Sequence, residues 1–168
     1  YTVHLPLWSV EPSTPLGPVR HGSTQAVIQT IQATQSLAPE TYVHHATGAL
    51  AAEFYRMNLP EMARALILRQ FQNNARASLQ TILRETGLPS RQLAVETIEF
   101  PFELTLELAE ELDLSICLDT GHVLSGFSGP VEVWHVLECC LPRLAEIHLH
   151  DSPQWHPGEP IRYGLDHQ

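Results

Sequence analysis

The sequence predicts an α/β fold with a parallel sheet, in the arrangement of a (β/α)₈ TIM barrel. Three observations support this prediction. Five short apolar runs have the length of buried strands, amphipathic helical stretches separate most of them, and no hairpin signal joins any two. A closed barrel typically needs roughly 250 residues, whereas this chain has 168. We therefore expect a single partial barrel domain over residues 1–168, incomplete at both ends.

The strands are predicted from runs of apolar and β-branched residues that end at proline, glycine or polar residues. They are expected at residues 1–6, 41–45, 92–96, 114–119 and 145–150. The first run ends at Pro6, and a loop rich in proline, glycine and serine follows it to about His21.

The helices are predicted from apolar residues at helical spacing and from residues that favour helix ends. Ser23 can cap a helix that continues to about Leu37. A helical region after Gly48 restarts at Pro60, which suits a first turn, and ends at Gly87. The remaining helices are expected at residues 101–112 and 130–142, with a loop over 152–164.

Composition favours a small-molecule substrate over nucleic acid. The chain has 19 acidic residues, nine arginines and no lysine, and its net charge is −10. Proteins that bind duplex DNA usually present a cationic surface, which this composition disfavours. The three cysteines, Cys117, Cys139 and Cys140, do not suit a disulfide framework, so we expect reduced thiols in a cytoplasmic protein. No membrane span or signal peptide is predicted.

Histidines and carboxylates recur where the predicted strands end. Glu96 follows three apolar residues, and a carboxylate there must be paired, protonated or metal-bound. Asp119 ends another apolar run, and Gly121 lets the backbone turn so that His122 can face the same cavity. Because the carboxyl ends of barrel strands converge on one face, the combination of such residues predicts a divalent metal site. Taken singly, a residue such as His4 would be an ordinary strand-end histidine.

The order of these motifs resembles the xylose isomerase-like barrel superfamily, and within it the endonuclease IV branch (AP endonuclease family 2). The motifs are Val3-His4-Leu5-Pro6, His45-Ala46-Thr47-Gly48, Val95-Glu96-Thr97, Leu118-Asp119-Thr120-Gly121-His122, Ile147-His148-Leu149-His150-Asp151-Ser152 and Asp166-His167. The resemblance covers essentially the whole chain, from the third barrel strand to the loop after the seventh. The opening Tyr1-Thr2-Val3-His4-Leu5-Pro6-Leu7 is similar to the cobamide-remodelling phosphodiesterases, which cleave the nucleotide loop of corrinoid cofactors at a phosphoester.

The resemblance implies two or three divalent ions, zinc or manganese, with Glu96, Asp119 and His148 as catalytic residues. The implied metal ligands are His4, His45, Glu96, Asp119, His122, His148, Asp166 and His167. Glu96 would bridge two of the ions. The choice between His44 and His45 as the ligand stays open. Strand alternation with Val43 pointing outward favours His44, whereas the resemblance of the motif favours His45.

The implied function is a metal-dependent phosphodiesterase that hydrolyses a cobamide phosphoester with metal-activated water. Three alternatives remain open: a single-metal sugar isomerase or epimerase, an AP-endonuclease-like DNA repair hydrolase, and an inactive barrel. Two features argue against the first alternative. The chain offers more candidate ligands than one ion needs, and it lacks the lysine on which aldose isomerases rely.

Overall fold

Five parallel strands form one sheet in the computed structural model, which describes residues 1–152. The strands are β1 (Thr2–His4), β2 (Thr41–His44), β3 (Leu93–Glu96), β4 (Ser115–Asp119) and β5 (Leu144–His148). Their order in the sheet is their order in the chain, and every neighbouring pair is parallel. Sequential parallel strands joined by helices are the arrangement of a (β/α)₈ barrel. The predicted fold class is confirmed, and each strand lies at its predicted place, although β5 begins one residue early and ends two residues early.

The helices lie between the strands. They are α1 (Gly17–Thr34), α2 (Ala49–Arg56), α3 (Glu61–Thr86), α4 (Phe102–Glu111), α5 (Thr120–Leu124) and α6 (Val133–Cys140). Helix α3 ends as predicted at Gly87, whose positive φ of 67° suits glycine. Within residues 1–152, no helix is both long enough and apolar enough to cross a membrane.

The helices differ from the prediction in two places. Helix α1 begins at Gly17, with a proline in its first turn, rather than at Ser23. The hydroxyl of Ser23 instead accepts a hydrogen bond from the backbone N–H of Glu11, at 2.8 Å, so it caps no helix. The short helix α5 was not predicted. It forms because the carboxylate of Asp119 accepts the backbone N–H of His122, as an N-cap residue does.

The two faces of the sheet have different surroundings. Side chains such as Tyr42 and Val95 belong to the large core cluster that the helices share. On the other face, Val43, Ala94 and Cys117 form a small buried cluster in the barrel interior. The premise that Val43 points outward was therefore wrong. Because side chains alternate along a strand, residues two positions later face the same interior.

Buried polar contacts hold the loop that follows β1. Two side chains of α3 donate hydrogen bonds to backbone carbonyls just after Glu11. Ser78 binds the carbonyl of the first residue after it at 2.7 Å, and Asn74 binds that of the second at 3.0 Å. The Glu11 carboxylate accepts the N–H of Leu50, in the first turn of α2, at 3.1 Å. These contacts fix residues 11–13 of the loop between β1 and α1.

Candidate metal centre

One residue from the carboxyl end of each strand reaches a common site in the barrel interior. The five residues are His4, His45, Glu96, Asp119 and His148. Four of them are the last residues of their strands, and His45 directly follows β2. Parallel strands present their carboxyl ends at the same edge of a sheet, so the topology alone brings these side chains together.

Glu96 lies at the centre of this group. Its Oε2 is 3.2 Å from Nε2 of His4 and 3.0 Å from Nε2 of His45. Its Oε1 is 3.1 Å from Nδ1 of His148. The side chain is only 3% exposed, so both oxygens face imidazoles rather than solvent. Each oxygen thus faces a separate set of nitrogen donors.

The charge of Glu96 is balanced by the surrounding histidines. Burial raises the pKa of Glu96, but hydrogen bonds from His4 and His45 and the charges of His45 and His148 outweigh it and hold the pKa well below its usual range. In return, the hydrogen bond with Glu96 raises the pKa of His4 despite partial burial. Glu96 is therefore an ionised, buried carboxylate, which suits it to bind a cation.

Asp119 forms a second centre beside Glu96. It is 1% exposed, and its Oδ1 accepts the backbone N–H of His122 at 3.0 Å. Its Oδ2 lies 2.8 Å from Nδ1 of His150, 3.8 Å from Nδ1 of His148 and 3.9 Å from Nε2 of His122. Three imidazoles therefore surround one carboxylate oxygen.

The donor atoms fit divalent metal ions. One ligand atom each from His4, His45 and Glu96 lies within 4.8 Å of the others, and the same holds for Glu96, Asp119 and His122. Mixed imidazole and carboxylate donors suit zinc and also accept manganese. Nδ1–H of His4 donates to the carbonyl of Leu5 at 2.9 Å, so Nε2 is the nitrogen that could bind an ion. Since Glu96 belongs to both groups, its carboxylate could be shared by two ions.

The structure places His45, not His44, at this site. Because Val43 faces the barrel interior, alternation sends His44 to the opposite face, where it is 1% exposed. Neither ring nitrogen of His44 has a hydrogen-bond partner among residues 1–152. Burial, reinforced by the charges of His45 and His4, lowers the pKa of His44 to about 3, so it is a neutral core side chain.

Three further ligands were predicted, and the structure describes only the first of them, His122. His122 lies beside Asp119, as described above. Asp166 and His167 lie outside the described residues.

Two site residues were missed by the sequence prediction. His150 contacts Asp119, and Glu146 contacts His148, whose Nε2 lies 3.3 Å from Glu146 Oε1. The signal that could have identified them is the period-two spacing of Glu146, His148 and His150 through and beyond β5.

Comparison with known proteins gives matches in structure only. No protein-family model and no curated protein sequence matches the chain. A D-tagatose 3-epimerase-like protein matches with a TM-score of 0.65 and 19% identity, over 89% of this chain and 55% of its own. Endonuclease IV from Thermus thermophilus has a TM-score of 0.64 and 21% identity, over 89% of this chain and 52% of its own. The 3-keto-D-glucoside 4-epimerase from E. coli has a TM-score of 0.66 and 14% identity, over 89% of this chain and 58% of its own.

These matches show the fold. The chain spans about half the length of each of the three structures, and it has the fold of xylose isomerase-like barrels. The barrel fold that the sequence resemblance implies is thus confirmed. The matched structures include a 4-epimerase and an endonuclease, which are enzymes of two chemical classes.

Proposed function

We propose that this chain carries most of the active site of a metal-dependent phosphodiesterase that hydrolyses the phosphoester in the nucleotide loop of a cobamide. The observation that supports it is the arrangement around Glu96. One carboxylate oxygen faces His4 and His45, and the other faces His148. A buried carboxylate with imidazoles on both oxygens suits a bridge between two cations.

The side chains divide into two groups of ligands. His4 and His45 would hold one ion with Glu96, and Asp119 and His148 would hold the second. Bound divalent ions lower the pKa of a coordinated water and stabilise the charge of a phosphoryl group during in-line attack. Glu96 and Asp119 neutralise part of the ionic charge, while the neutral imidazoles leave the site cationic enough to bind a phosphodiester.

The choice of a cobamide as the substrate rests on two arguments. One is the similarity of residues 1–7 to the cobamide-remodelling phosphodiesterases, and the other is the net charge of the chain. A net charge of −10 with no lysine disfavours a duplex DNA substrate, although endonuclease IV is among the structures that match. The three cysteines are unpaired, as expected for the cytoplasmic location that we propose.

A sugar isomerase or epimerase is the second candidate. It is favoured by the match to a D-tagatose 3-epimerase-like protein and to a 3-keto-D-glucoside 4-epimerase. In this case Glu96, Asp119 and His148 would hold one ion, and carboxylates would exchange a proton next to a carbonyl. His4 and His45 would then have no direct function in the site.

Metal content and activity together test the proposal. We expect two or more ions per chain by elemental analysis after purification without chelator, and release of the nucleotide from a cobamide by the loaded protein. One ion per chain, with sugar epimerisation and no phosphoester cleavage, would support the second candidate. No bound metal after addition of zinc or manganese would leave an inactive barrel.

A conservative substitution tests the bridging residue. We expect Glu96→Gln to abolish phosphoester cleavage and reduce the metal content, because an amide has one oxygen and no charge. Glu103→Gln, on the exposed surface of α4, is the matched control and should leave both unchanged. Activity of Glu96→Gln close to that of the parent would remove Glu96 from the mechanism.

A further inference from the structure

A second layer of inward-facing residues lies beneath the candidate metal ligands. Each strand contributes one residue to it, two positions before its ligand: Thr2, Val43, Ala94, Cys117 and Glu146. Three of these side chains form the small apolar cluster of the barrel interior. Glu146 is the carboxylate in this layer, paired in register with Cys117 of the neighbouring strand.

Glu146 is placed beside the ring of His148. The two ring nitrogens of His148 face different carboxylates: Nδ1 lies 3.1 Å from Glu96 Oε1, and Nε2 lies 3.3 Å from Glu146 Oε1. The same oxygen of Glu146 accepts the hydroxyl of Thr2 at 3.3 Å, which connects β5 with β1. A neutral imidazole has a single N–H. When Nε2 carries it and donates to Glu146, Nδ1 keeps a lone pair that can bind a cation held jointly with Glu96.

The environment of Glu146 does not favour a carboxylate on stability grounds. Its side chain is 22% exposed, and its Oε2 is buried without a hydrogen-bond partner among the described residues. A buried acceptor without a partner costs free energy, and an apolar side chain would pack against Cys117 without that cost. The carboxylate therefore needs another reason to be there.

We infer that Glu146 is a positioning residue that fixes the Nε2–H tautomer and the ring orientation of His148, so that Nδ1 is presented to a metal. This inference rests on the proposed metal site. Histidine ligands usually donate their second N–H to a carboxylate or carbonyl, which orients the ring and increases its basicity. His4 uses the carbonyl of Leu5 for this purpose, whereas His148 uses a side chain that mutation can remove.

The experiment measures the histidine tautomer and the zinc affinity of the full chain. The tautomer of His148 is read from long-range ¹H–¹⁵N NMR spectra of the zinc-loaded protein, assigned with His148→Gln. Zinc dissociation constants come from competition with a chromogenic chelator. Glu146→Leu and Glu146→Ala both remove the acceptor, and Glu146→Gln keeps a carbonyl oxygen that can accept Nε2–H. Glu138→Ala removes a charge from the exposed surface of α6 and is the control.

We expect the parent and Glu146→Gln to hold His148 as the Nε2–H tautomer. Glu146→Leu and Glu146→Ala should give a mixture of tautomers and bind zinc about 10- to 100-fold more weakly. The zinc affinity of Glu146→Gln should lie between these and the parent, and Glu138→Ala should match the parent. If one of the two variants without an acceptor fails to fold, as judged by circular dichroism, the other provides the comparison.

Different results would overturn different claims. An unchanged tautomer and zinc affinity in Glu146→Leu or Glu146→Ala would overturn the positioning role and leave the metal site intact. Loss of zinc in Glu146→Gln as complete as in Glu146→Ala, with the tautomer retained, would make Glu146 a ligand instead. A parent that binds no zinc would overturn the proposed function and this inference with it.

Discussion

His44 and His45 are adjacent in sequence but lie in opposite environments. His45 contacts the carboxylate of Glu96 in the barrel interior, and its side chain remains 23% exposed. His44 is 1% exposed, on the face that packs against the helices, with both ring nitrogens unpartnered among the described residues. A shift of one residue along a strand exchanges its faces, so identical side chains can have unrelated functions.

The pair of variants His44→Leu and His45→Leu tests this assignment. We expect His44→Leu to retain zinc binding, because its ring does not reach the site. Its free energy of unfolding in urea should stay equal or rise by about 1 kcal/mol, since a buried imidazole without partners is replaced by an apolar side chain. His45→Leu should fold and lose most of the zinc affinity. The opposite pattern, with zinc lost in His44→Leu, would make His44 the ligand.

At the level of elements, α3 holds together the elements that surround it. It is a helix of 26 residues that packs against α1, α2 and α4. Its buried Asn74 and Ser78 bind the loop after β1, while Arg69 on its outer side pairs with Glu107 of α4. Gln72 donates to both Glu107 and the carbonyl of Leu104, at 2.9 Å each. One helix thus holds both the loop that follows β1 and the helix that follows β3.

The contact between α3 and α4 should depend on pH. Hydrogen bonds from Arg69 and then Gln72 hold the pKa of Glu107 below its ordinary value. Its contribution to stability is therefore fully present above the pKa of the unfolded chain and is lost as the pH falls through the lowered pKa of the folded state. We expect Arg69→Gln to raise the pKa of Glu107, measured by NMR titration of the carboxyl carbon.

The control for this titration is Arg84→Gln, on the same helix, where Arg84 pairs with Glu85 and not with Glu107. It should leave the titration of Glu107 unchanged. Equal pKa values of Glu107 in the parent and in Arg69→Gln would show that the ion pair does not form in solution.

For the molecule as a whole, the net charge of −10 makes the proposed substrate binding depend on bound cations. The site contains the carboxylates of Glu96, Asp119 and Glu146, which repel a phosphodiester when no ion is present. We expect a small phosphodiester such as bis(4-nitrophenyl) phosphate to bind the zinc-loaded protein. Chelation should abolish this binding, and added zinc should restore it, as measured by calorimetry.

The control for that measurement is a neutral analogue of the same size. Its binding should be the same with and without bound zinc. Binding of the phosphodiester that persists after complete chelation would place the anion site elsewhere, for example on surface arginines.

The sequence by itself determined the order and approximate bounds of the strands, because short apolar runs and helical periodicity are local properties. It also indicated which residue types stand at the strand ends, including Glu96, Asp119 and His148. Strands of a parallel barrel present those ends on one face, so the structure brings these side chains together as the pattern predicts.

Only the tertiary structure decided which faces turn inward and which residues touch. Side chains alternate between the two faces of a strand, but the sequence does not show which alternate residues point into the barrel. The packing of the helices against Tyr42 and Val95 decides this. The same packing places His45 rather than His44 in the site and brings Glu146 to His148. The start of α1 also escaped prediction, because Ser23 binds the distant backbone of Glu11 rather than a helix end. Contacts between residues far apart in the chain depend on how the elements pack, and no local pattern records them.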